Sequence, residues 1–98
     1  MPRRVLNRVR TAIRNAAYDL TVHAVEEMAE DGLDIVDIET AILNGRLIKT
    51  EKDDPRGIRY TMHGLGADGT TPVGAVGRFT ETRRYLIITV YRVTEPYI

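Results

Sequence analysis

The chain has 98 residues, with 14 basic and 14 acidic side chains, 43% hydrophobic and 29% charged residues, the size and balance of one globular domain. A chain of this length buries roughly 60–70% of its unfolded surface, enough to fold without staples. It holds no Cys and no apolar run approaching roughly 20 residues, which excludes a disulfide scaffold, a thiolate zinc site, a cysteine nucleophile and a membrane-spanning helix.

The zero net charge hides blocks of opposite sign. Residues 1–17 carry Arg3, Arg4, Arg8, Arg10 and Arg14 and no acid, whereas residues 18–41 carry eight acids and no Lys or Arg. Val5, Leu6, Val9, Ile13 and Ala16 recur at helical spacing, which predicts a basic amphipathic helix over 3–17. Its apolar side has no aromatic residue and is small for a membrane-surface helix. The basic start is not followed by the apolar stretch of a signal peptide. Two readings of the helix stand: it lies beside the acidic segments, or it docks RNA or an acidic partner.

Tyr18–Thr21 reads as a short extended piece or a loop. Thr21 is placed to cap a helix from Val22 to Asp31, which Gly32 ends. Asp34 is placed to cap a second, from Ile35 to Leu43, which Gly45 ends. The hydrophobic period then changes to two, predicting strands at Arg46–Glu51, Ile58–Leu65, Pro72–Phe79 and Tyr85–Val93. Asp68-Gly69 marks a tight hairpin. The last strand, rich in β-branched and aromatic residues, reads as a central strand, covered on at least part of both faces. The expected architecture is α+β: a basic helix over 1–17, then a single domain over 18–98 with helices on one face of an antiparallel sheet of about four strands.

Chemistry-bearing residues are few. His23 lies three and four residues from Glu26 and Glu27, so a helix makes them neighbours, able to set the tautomer and charge of the ring. Two His without an HExxH pattern argue against a metal. His63 shares a strand face with Arg59, opposite Tyr60 and Met62; an Arg and a His on one face suit a phosphate and its proton. Arg78, Arg83, Arg84 and Arg92 lie late in the chain with Tyr85 and Tyr91, a mixture that suits RNA phosphates and bases and also describes an ordinary exposed sheet. No P-loop and no GxGxxG between strand and helix occurs, so no nucleotide cofactor is expected. The chain has no Ser, which rules out a Ser-His-Asp triad.

The pattern His23-Ala24-x-x-Glu27-Met28-x-x-Asp31-Gly32-Leu33, then Asp37-Ile38-Glu39 and Ala41-Ile42, resembles the domain-of-unknown-function family 4258. Gly45-Arg46-Leu47-Ile48, Asp53-Asp54-Pro55-Arg56-Gly57, Asp68-Gly69 and Ile87-Ile88-Thr89-Val90-Tyr91 agree, so the likeness covers about residues 18–93. One position departs: many members carry Arg where this chain has Glu27.

That family is similar in fold to toxin ribonucleases of the RelE/ParE type, which pair helices with a curved antiparallel sheet. The resemblance implies a cytoplasmic, metal-independent endoribonuclease without cofactor, acting on RNA, free or ribosome-bound, and neutralised by an antitoxin protein. It implies catalytic roles for His23, Arg59, His63, Arg78 and Tyr91, with Arg56, Arg83 and Arg84 as RNA contacts. The competing reading is a non-catalytic protein-interaction module in which His23 is structural and residues 3–17 form a homo-oligomer.

Overall fold

Caps divide the helical half of the chain. The computed structural model describes residues 2–94, with side chains from residue 4 onward; the side chain of Arg3 and residues 95–98 of the expected domain lie outside that range. Helix α1 spans Pro2–Arg14, strand β1 Tyr18–Leu20, α2 Val22–Asp31 and α3 Ile35–Asn44. The Thr21 hydroxyl accepts the Ala24 amide, and Gly32 ends α2 at φ 67°, in the left-handed region glycine tolerates. Asp34 and Asp37 exchange side-chain and backbone hydrogen bonds as a capping box on α3. The basic helix stops three residues short of the expected end. Ala16 turns left-handed at φ 55°, and the Ala17 amide reaches back to the Ala12 carbonyl at 2.8 Å.

Four strands follow: β2 Arg46–Glu51, β3 Arg59–Leu65, β4 Pro72–Phe79 and β5 Tyr85–Arg92. The sheet has five strands, not four, in the order β1-β5-β4-β3-β2. It is mixed rather than antiparallel, because β1 runs parallel to β5 with Tyr18 opposite Tyr85. Strand β5 is interior, between β1 and β4, and β4 is the middle strand. Three residues are too few to display alternation, and their partner lies far along the chain, so β1 leaves no periodic trace in the sequence.

One face of the sheet forms the core. Tyr60, Met62, Val73, Ala75, Tyr85, Ile87 and Val90 meet Ile38, Ala41 and Ile42 of α3 and Val9, Ala12 and Ile13 of α1. The basic helix thus shares its apolar side with the rest of the core, and Arg10 donates to the Gly45 carbonyl at the end of α3 at 2.8 Å. Gly45 has an ordinary φ of −94°. Its need for glycine is space: a Cβ there would strike the backbone of His63 and Ala41, and one at Gly64 would strike Ala41.

Helix α2 takes the position of a missing strand. β1 covers only the first residues of β5, leaving the amides of Val90 and Arg92 on an open edge. Glu27 accepts the Val90 amide at 2.9 Å and Asp31 the Arg92 amide at 3.1 Å. Four residues of helix advance about 6 Å and two residues of strand about 6.6 Å, so the i,i+4 carboxylates match alternate strand amides. Thr21 begins the same ladder, its hydroxyl donating to the Ile88 carbonyl at 2.8 Å.

Candidate functional site

Alternation along β3 sends Tyr60 and Met62 into the core and Thr61 and His63 to the opposite face, the one turned away from α1 and α3. Register then aligns residues across four strands. Arg46 of β2 stands opposite His63, His63 opposite Gly74 of β4, and Gly74 opposite Tyr91 of β5. Gly74 is the reason the row closes. With no side chain there, the Tyr91 ring lies over the Gly74 backbone, where a Cβ would strike it. Tyr91 thereby reaches a strand that is not its neighbour: its Oη lies 2.9 Å from His63 Nε2, with the two rings edge to face at 5.7 Å.

The electrostatics of the pair follow from its half-buried setting. Burial, with the nearby Arg46 charge second, pushes the His63 pKa below its ordinary 6.5. Burial also raises the Tyr91 phenol above its ordinary 10.0. At neutral pH the pair is an uncharged imidazole against a protonated phenol, so a proton passed to the phenol oxygen can move on to the imidazole, which then carries the positive charge.

The neighbouring row is Lys49, Thr61, Val76 and Thr89. The Thr89 hydroxyl donates to Glu27 Oε1, the oxygen that also accepts the Val90 amide. The other Glu27 oxygen lies 3.2 Å from His23 Nε2, and the His23 side chain is 66% exposed. His23 is thus joined through Glu27 to the row beside His63 and Tyr91, at the sheet margin rather than against them.

The arginines expected beside these histidines are elsewhere. Arg59 lies four residues from His63 along β3, roughly 13 Å away. Its Nη2 is 3.5 Å from both Glu51 and Asp53, and its buried Nε is 3.9 Å from Asp54, too far for a hydrogen bond. Arg56 clamps Asp54 through Nε and Nη2 at 3.2 Å each, which lowers the Asp54 carboxyl below the usual range. Arg78 donates to the Arg56 carbonyl at 3.4 Å. Arg84 grips Asp19 at 2.7 and 3.2 Å and the Tyr18 carbonyl at 2.9 Å. Arg83 is exposed in the turn before β5, at φ 67°. Of the five residues expected to be catalytic, His63 and Tyr91 are brought into contact. Arg46 was not foreseen; it becomes visible only once strand register is known, and the glycine inside β4 was the sequence signal of a close approach.

Among the described residues no group of three metal-ligating side chains forms, and no helix is long and apolar enough to cross a membrane. A family model described as a domain of unknown function, DUF4258, matches residues 20–92. The chain belongs to the DUF4258 family. No curated protein and no solved structure matches the chain. The DUF4258 segment runs from the end of β1 to the end of β5, so it contains the whole Arg46–His63–Gly74–Tyr91 row and leaves α1 outside.

Proposed function

We propose that the sheet face opposite α1 and α3 is a metal-independent RNA-cleaving site, in keeping with the likeness to RelE/ParE-type ribonucleases that the family resemblance implies. The His63–Tyr91 contact carries this reading: a depressed imidazole and a protonated phenol 2.9 Å apart, with Arg46 in the same row. The dyad acts as the base. The ribose 2′-hydroxyl gives its proton to Tyr91 Oη while the phenol proton passes to His63. The 2′-oxygen bonds to phosphorus, and the positive potential of Arg46 stabilises the phosphorane. The bond from phosphorus to the 5′-oxygen then breaks, and the dyad returns its proton to that oxygen. The products are a 2′,3′-cyclic phosphate and a 5′-hydroxyl. His23, Arg59 and Arg78 stand outside this step, and Arg56, Arg83 and Arg84 serve as phosphate contacts away from the reacting atoms. An antitoxin partner belongs to the same proposal.

The test is cleavage of single-stranded and ribosome-bound RNA by the full chain in excess EDTA, with the products examined for 2′,3′-cyclic ends. Tyr91→Phe and His63→Asn should each lower the rate about 10²-fold or more, and a 2′-deoxy substrate should bind without being cut. RNA left intact by the wild-type chain, or cut equally by both variants, sinks the proposal. The second reading, a non-catalytic interaction module, is favoured by one observation: Glu27 holds both His23 and the β5 edge, which gives that imidazole a structural place.

A further inference from the structure

Helix α1 keeps one side away from the core. Arg4, Arg8, Thr11 and Asn15 follow at spacings of three and four and share that side. Between them and the turn before β5 runs an open groove of about 1340 Å³, floored by Ala12 and Phe79 and closed at its far rim by Arg83. The Arg8 guanidinium lies 4.1 Å over the Phe79 ring, which holds its charge at the groove. Among the described residues no acid lines the groove, and Arg4 and Arg83 have no ion-pair partner there. An occupant must bring negative charge for the rim and apolar surface for the floor.

Helix α2 displays both. Ala24, Glu27, Met28 and Asp31 face the sheet. The outer side carries Val22, Val25 and Ala29 in line, flanked by Glu26 and Glu30, all exposed. Val22 is 76% and Val25 51% exposed, high for β-branched apolar side chains, and α2 contains no Lys or Arg. We infer that copies of this chain associate head to tail, the outer side of α2 of one copy seated in the α1 groove of the next. The contact is a helix in a groove. Its two patches differ, so association closes as a reciprocal pair or ring, or continues as a chain. Association through one such contact is concentration-dependent. The inference rests on neither His63 nor Tyr91 and is independent of the proposed activity.

Sedimentation velocity of the full chain tests it. At low ionic strength the weight-average mass should rise above the 11.1 kDa of one chain as concentration increases. It should return to that value in 1 M salt, where the screening length is about 3 Å. Arg4→Glu with Arg83→Glu, and separately Glu26→Arg with Glu30→Arg, should each give monomers at concentrations where the wild type associates. An equimolar mixture of the two variants should associate again, because each reversed patch then meets its complement. All four positions are exposed, and thermal melts near that of the wild type would establish that both variants fold. A wild type that stays monomeric at low salt, a variant that associates as the wild type does, or a mixture that stays monomeric overturns the inference. A monomeric wild type that binds an RNA oligonucleotide through Arg4 and Arg83 overturns it in favour of a nucleic-acid groove.

Discussion

His63 is an imidazole that the folded chain prefers uncharged. Its pKa is pushed below the ordinary 6.5 by burial and then by Arg46, whereas the unfolded chain takes up a proton near 6.5. Between the folded value and 6.5 the unfolded state binds more protons, so stability rises with pH there. The contribution of His63 is therefore complete above about pH 6.5 and declines as pH falls below it. Urea unfolding across pH 5–8 should show this acid-side loss, and His63→Gln should remove it. A wild-type profile of unchanged slope after that substitution would refute the assignment. The same residue shows what sequence could convey. Alternation put His63 on the correct face, apart from Tyr60 and Met62. It could not supply the register that aligns Arg46 and Tyr91 with it, because register depends on turn lengths and on bulges such as the shift between Leu47 and Lys49.

At the scale of elements, caps and turns were the most legible features, since Thr21, Gly32, Asp34 and Asp68-Gly69 act through local hydrogen bonds and backbone conformation. What remained hidden was non-local. Nothing local in Tyr18–Leu20 announces a parallel partner, and an acid at Glu27 reads as a solvated face or a partner for His23 until the β5 edge is beside it. Glu27→Ala strands the Val90 amide and the Thr89 hydroxyl, which should cost about 1–3 kcal/mol. His23→Ala removes only an exposed group bonded to the same carboxylate and should change stability by less than about 0.5 kcal/mol. Paired denaturant titrations separate the two. Equal losses would mean that His23, rather than the strand edge, is what Glu27 supports.

For the whole molecule, α1 contributes to the core. The helical spacing marked Val9 and Ile13 of its apolar side, but it also placed Ala16 there, which is exposed beyond the end of α1, and it left out the buried Ala12. Val9 and Ile13 are buried with the sheet residues and α3, so Ile13→Ala should cost about 2–4 kcal/mol. Removal of residues 1–14 should leave a chain without cooperative unfolding, as read by circular dichroism melting. A truncated chain that melts like the parent would make α1 an appendage. The helix laid along β5 has a different outcome for growth of the sheet. Because α2 occupies the hydrogen-bonding margin of β5 beyond β1, that flank offers an extended peptide just the three residues of β1 as an edge. The longer open edge for strand addition, whether by a binding partner or by misassembled copies, is β2, where the irregularity after Leu47 and the charge of Lys49 discourage it.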